Sequence, residues 1–120
     1  MSKQMKKISV LICVLFSTLS MYAQQSIAGI WDTGKDNTKI EITQANDLYE
    51  GKIVASDNSK APIGKLLIKE IKSIDGEWHG KLFAAKKGKW MDAVLKEEGQ
   101  QLFITVKAGL MSKTIEWAKE

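Results

Sequence analysis

From residue 27 onward, apolar side chains recur at every second position in short runs separated by Gly, Asn, Asp and Ser. Ile40 and Ile42 alternate with Lys39, Glu41 and Thr43; Tyr49, Gly51, Ile53 and Ala55 alternate with Glu50 and Lys52; Trp78, Gly80 and Leu82 alternate with Glu77, His79 and Lys81. Met91, Ala93 and Leu95 oppose Trp90, Asp92 and Val94, and Leu102, Ile104 and Val106 oppose Gln101, Thr105 and Lys107. A period of two sends successive side chains to opposite faces of an extended strand, so each run has one apolar face. The pattern predicts eight strands, over residues 27–33, 39–43, 48–55, 64–72, 77–84, 89–95, 101–107 and 112–118.

The breaks between runs carry residues that tolerate tight or left-handed backbone, and Asp75-Gly76 is the strongest two-residue hairpin signal among them. No interval is long enough for a crossover helix, so neighbouring strands are expected to pair antiparallel as a meander. Residues 64–74 could also read as a helix, since Leu67, Ile71 and Ile74 share helical spacing, but the flanking Pro62 and Gly76 favour a strand. Eight strands with one apolar face each close most simply into a small antiparallel up-and-down β-barrel, which removes both edges and buries that face. Gly51 and Gly80 interrupt inward faces, where they let a strand bend or make room for a large neighbour such as Trp78.

Residues 1–23 have a different pattern. Lys3, Lys6 and Lys7 precede an unbroken apolar stretch over 8–16, and 17–23 is smaller and more polar. This is the layout of a cleavable secretory signal peptide, with a cut expected after Ala23 although Met21 is larger than the residue usual there. Nine apolar residues at about 1.5 Å each cannot span a bilayer core of about 30 Å, so no transmembrane anchor is expected in the mature chain, 24–120.

Removing that leader changes the charge picture. The whole chain has 18 Lys and Arg against 14 Asp and Glu, but without the three leader lysines the excess falls to +1, with both signs interspersed and no Arg at all. No nucleic-acid footprint is visible. The only cysteine, Cys13, lies in the leader, which leaves the mature chain without disulfides, thiolate metal sites or a thiol nucleophile. Lipidation of Cys13 is not expected, because Ile12 precedes it.

The order and spacing of several short motifs add a family reading. Gly29-Ile30-Trp31 resembles the Gly-x-Trp opening of lipocalin-like barrels. Together with Leu48-Tyr49-Glu50-Gly51-Lys52-Ile53, Pro62-Ile63-Gly64, Trp78-His79-Gly80-Lys81-Leu82-Phe83, Gly88-Lys89 and Thr114-Ile115-Glu116-Trp117, it resembles DUF2147, a family of small secreted bacterial proteins without an established function. The resemblance covers nearly all of the mature chain and implies a lipocalin-like barrel and an envelope location. Two departures stand out: Ala84-Ala85 replace the Asp-Pro usual in the family, and the loop before Pro62 is short.

Candidate chemistry is sparse. His79 is the only histidine, and with Glu77 it offers two ligands where a metal site needs three or four, so no metal or cofactor is assigned. No nucleophile elbow accompanies the serines, and the reading is a binding protein rather than an enzyme. Trp31 and Trp117 are expected to pack across the seam where first and last strands meet, with Lys119 over an indole face. Tyr49 and Trp78 are expected to point inward. Trp90 points outward with Phe83 beside it, and these four residues form the candidate ligand-binding set. Leu110 and Met111 are expected to plug a barrel end. The partner implied is an envelope component on the surface, or a small apolar molecule in the barrel mouth; the alternative is a structural or interaction protein with a filled barrel, and a hydrolase ranks third.

Overall fold

The alternation is realised as eight strands in chain order: β1 (Gly29–Asp32), β2 (Lys39–Ala45), β3 (Leu48–Ala55), β4 (Leu66–Ile74), β5 (Glu77–Ala84), β6 (Lys89–Glu98), β7 (Gln101–Ala108) and β8 (Met111–Lys119). The structure is a computed structural model and describes residues 27–120; the expected leader and its cleavage site lie outside the described residues. Each strand pairs antiparallel with the next, and β8 returns to β1 to close the barrel. The stretch that could have been a helix is β4.

Six strands differ from expectation at one or both ends, the largest single shift being that of β6, which runs on to Glu98, and two of the shifted starts have a local cause. The first strand begins at Gly29 rather than residue 27, because Gly29 has φ 137° and the chain before it turns back so that the carbonyl of Ile27 accepts a 3.0 Å hydrogen bond from the Trp31 indole. The fourth begins at Leu66 rather than Gly64. Gly64 has φ 94° and lies in a turn that Lys65 closes by donating its N–H to the Pro62 carbonyl, while the Gly64 N–H donates to the carbonyl of Ile53 and the Ile53 N–H to that of Lys65, tying the turn to β3.

Turn chemistry then sets the hairpins. Asp75 and Gly76 both have positive φ, 52° and 84°, as a two-residue hairpin of the favoured hand requires, and Ile74 pairs directly with Glu77 across them. In the other two-residue loops, 46–47, 99–100 and 109–110, the left-handed position is taken by Asn46, Gly99 and Gly109.

The inward side chains make one core: Ile27, Trp31, Ile40, Ile42, Ile53, Ile68, Ile71, Ala93, Leu95, Leu102, Ile104 and Trp117, with Tyr49, Trp78 and Leu82 packed against it. Eight of these, from Ile27 and Trp31 to Leu102 and Ile104, have no surface that a water-sized sphere reaches, from outside or from an internal void. Side chains therefore fill this part of the barrel, as in the smaller eight-stranded barrels.

β4 departs from strict alternation. Ile68 and Ile71 are both fully buried although three residues apart, which an unbroken strand would put on opposite faces. The register supplies the reason: Lys69 pairs with Lys81 and Lys72 with His79, so β4 carries one residue more than β5 over the same interval. Glu70, at φ 54°, takes the extra position as a bulge, and the bulge turns Ile71 back inside. The helix-like spacing of apolar residues in this segment is the trace of that bulge.

Gly80 faces it. A Cβ at Gly80 would lie 2.9 Å from Ile71 Cγ1 and 3.1 Å from the carbonyl oxygen of Lys69, closer than side chains tolerate. At Gly51 a Cβ would lie 2.6 Å from Ile68 Cγ2 and 2.9 Å from Ile40 Cγ2. Both glycines thus make room for isoleucines, where the sequence had suggested Trp78.

Gly51→Ala is expected to lower unfolding stability by about 1 to 3 kcal/mol, because branched side chains on the two neighbouring strands, Ile40 and Ile42 of β2 and Ile68 of β4, must shift together. Thr43→Ala, exposed on β2, is expected to stay within about 0.5 kcal/mol. Urea midpoints of the two variants measure the contrast, and equal shifts would contradict the packing around Gly51.

Candidate functional site: an aromatic and lysine patch outside the barrel

Ala93 and Leu95 of β6 point into the core, so the alternate residues Trp90, Asp92 and Val94 point out. On β5, Leu82 packs inward and Phe83 outward. Phe83 and Trp90 are register partners, and their rings meet edge to face with centroids 5.3 Å apart at 65°. A pair of this geometry contributes of order 0.5 to 1.5 kcal/mol beyond the area it buries.

Two lysines complete the patch. Lys65, just before β4, places Nζ 4.6 Å from the Phe83 ring centroid, and Lys69 on β4 places Nζ 4.3 Å from that of Trp90. Two rungs further along, on the same face, Lys81 donates to Asp92 at 2.9 Å. That hydrogen bond, with the charge of Asp92 behind it, holds the Lys81 ammonium above its ordinary pKa. Glu70 lies 3.6 Å from Lys69, so the bulge also places a carboxylate beside the cation over Trp90. The outer face of β4, β5 and β6 is therefore a half-buried aromatic pair bordered by ammonium groups.

The four residues singled out from sequence are not brought together. Tyr49 and Trp78 form their own edge-to-face pair inside the wall, 5.5 Å apart at 86° and packed on the core, while Phe83 and Trp90 lie outside it. At the seam Trp31 and Trp117 are both buried, and Lys119 Nζ lies 4.9 Å from the Trp31 ring, as expected of that lysine. Leu110 and Met111 are a correction. Both are exposed, because they form the tip of the β7–β8 hairpin and turn away from the barrel interior.

Sequence reasoning missed a groove of about 670 Å³ lined by Val94, Lys96, Phe103 and Thr105, with Glu77 and Trp78 also contributing. Val94 pairs with Thr105, and Lys96 with Phe103, so the outward rungs of two strands supply most of its floor. The signal was present in the outward Val94 and Phe103, which with Trp90 break the polar outer faces of β6 and β7. His79 Nε2 lies 3.4 Å from Glu77, and the described residues hold no group of three or more metal-ligating side chains. Among the described residues no helix is long and apolar enough to cross a membrane.

No family model matches the chain, and no curated protein matches it either.

The two kinds of tryptophan should separate in stability. Trp31→Ala removes a fully buried indole and its hydrogen bond, and is expected to cost about 3 to 5 kcal/mol. Trp90→Ala removes a half-buried ring from the outer wall, and is expected to cost about 1 kcal/mol. Chemical denaturation checks both. A loss at Trp90 as large as at Trp31 would mean that the outer patch is structural.

Proposed function

We propose that this protein is an exported binding protein that works through the outside of its barrel, with the Phe83–Trp90 patch receiving an acidic component of the cell envelope. The observation that carries the reading is the division of aromatic residues between a filled interior and one outward pair bordered by Lys65 and Lys69. A packed core leaves little volume for a ligand. A half-exposed indole beside ammonium groups offers a flat apolar face and positive charge at one place, which suits an anionic partner with an apolar or ring-bearing portion.

Export rests on the leader read in residues 1–23, and the envelope on the resemblance to DUF2147. Neither reading gives the protein a reaction, and binding accounts for the patch without one.

The groove beside Val94 and Phe103 favours a second reading, in which a small apolar molecule is held on the outer wall. The two readings have different anchors. With the full-length protein immobilised and exposed to an envelope fraction, Trp90→Ala is expected to reduce capture of an acidic component by on the order of tenfold or more, with folding intact. Phe103→Ala is expected to leave that capture unchanged. Saturable one-to-one uptake of a fatty-acid probe, lost in Phe103→Ala and kept in Trp90→Ala, would replace the first reading with the second.

A further inference from the structure

In an up-and-down barrel successive loops fall at alternate ends. Loops 33–38, 56–65, 85–88 and 109–110 therefore share one end, and turns 46–47, 75–76 and 99–100 share the other. The chain's interspersed charges are sorted in large part by this arrangement, with Lys72 and Lys96, three residues before turns of the second set, as exceptions. Asp47, Asp75, Glu77, Glu97 and Glu98 lie in or beside the second set of turns. Lys60, Lys86, Lys87, Lys89, Lys107 and Lys113 lie in or beside the first set; all six are exposed, and none forms an ion pair among the described residues. The lysine end has two loop carboxylates, Asp36 and Asp57, which accept hydrogen bonds from Asn58 and Asn37.

The same end carries the three most exposed large apolar residues among the described residues: Leu110, wholly exposed, Met111 at 77% and Ile63 at 69%, against Ile74 at 40% beside turn 75–76 and Ile30 at 37% on β1. Leu110 and Met111 sit on a projecting finger. The last rung between β6 and β7 is Ala93 with Val106, and β8 meets β1 only at Lys119 and Ala118, so residues 107–112 pair with one another alone. Lys107 and Lys113 flank its tip.

We propose that the lysine-rich end docks on an anionic lipid bilayer, with Leu110 and Met111 entering the headgroup and upper acyl region and the surrounding lysines resting among anionic headgroups. The chemistry favours a bilayer over a protein partner. A protein interface needs a broad complementary surface of about 800 Å² on each side, whereas this end offers a narrow apolar tip among separated, unpaired ammonium groups. Lysine is a mobile point charge without the fixed fork of arginine, and it suits headgroups that diffuse to meet it. Exposed apolar tips beside cations are stabilised together at such a boundary, one by burial and the other by the negative surface potential.

The lysine end borders the Phe83–Trp90 patch, since Lys65 belongs to loop 56–65 and Lys89 adjoins Trp90, but the residues changed in the test, Lys107, Leu110 and Met111, lie on the β7–β8 finger and leave that patch untouched. Full-length chain with Cys13→Ser and Met111→Cys would carry an environment-sensitive fluorophore on the new thiol. A companion with Cys13→Ser and Asp75→Cys would carry the same fluorophore at the acidic end, which is also the end from which the chain enters β1.

Vesicles of phosphatidylcholine containing phosphatidylglycerol are expected to shift the emission of the first protein to the blue, and to leave the second unchanged. Pure phosphatidylcholine should shift neither, and high salt should reverse the response. Leu110→Ser is expected to weaken partitioning by on the order of tenfold, and Lys107→Ala by about fivefold. No blue shift at position 111, or an equal shift at both positions, would overturn the proposal, the second result meaning attachment through the leader. Binding of the chain to dextran sulfate without a blue shift on vesicles would also overturn it, in favour of a soluble polyanion.

Discussion

Burial of the Trp31 indole is the constraint on which the closed barrel depends. β1 has four residues and meets β8 at two positions, so ladder hydrogen bonds alone do little to hold the ring shut. The indole supplies what the ladder lacks. It fills the core, donates to Ile27 and so folds the preceding chain over the barrel, and receives the Lys119 ammonium on its face. That ammonium also donates to the carbonyl of Ala28 at 3.2 Å. Two further links cross the same place: Glu120 donates its N–H to Ile30, and its carboxylate takes Lys39 at 2.6 Å. Closure is thus assigned to one large side chain and a few polar ties around it.

Much of this fold was legible in the sequence because strand alternation and turn chemistry are local properties. β3 and β5 lie where alternation puts them, and Asp75-Gly76 makes the turn that its residue types demand. Three features were hidden, each because it depends on register or topology. The bulge at Glu70 shows in sequence only as a disturbed period, and the role of Gly80 follows from the bulge on the neighbouring strand. The sorting of charge to the two ends becomes visible once alternate loops are assigned to alternate ends, since along the chain Lys and Asp or Glu simply mix. Leu110 and Met111 are apolar, and nothing local distinguishes an apolar loop that covers a barrel from one that leaves it.

Of the candidate site, the outward direction of Trp90 and Phe83 was legible, but the two lysines over their rings were not. Lys69 reaches Trp90 across the sheet from β4, and that contact depends on pairing through β5. The division between inner and outer aromatic pairs is what turns the proposed function to the wall. On that proposal, with Ile, Leu and Trp side chains packed through the interior, the barrel is a support whose sheet faces and loop ends carry the recognition. Such a support can change its outer residues without repacking its core, which is how one fold comes to host unrelated binding tasks.

The half-joined seam sets the order in which the ring can come apart. Every other neighbouring pair of strands is joined by a short connection, whereas the partners Trp31 and Lys119 lie at opposite ends of the domain's sequence. Hairpins can form locally, so closure is the step with the largest loop-entropy cost and the last to be made. Opening is the reverse. It releases only Ala118 and Lys119, because the β1-side edge of β8 along Met111 to Trp117 is unpaired even in the closed ring, and that edge is interrupted by Lys113 and Glu116, charges of the kind that discourage one edge from adding to another. The strand that closes the ring therefore also carries its own guard against aggregation, whether the ring is open or shut.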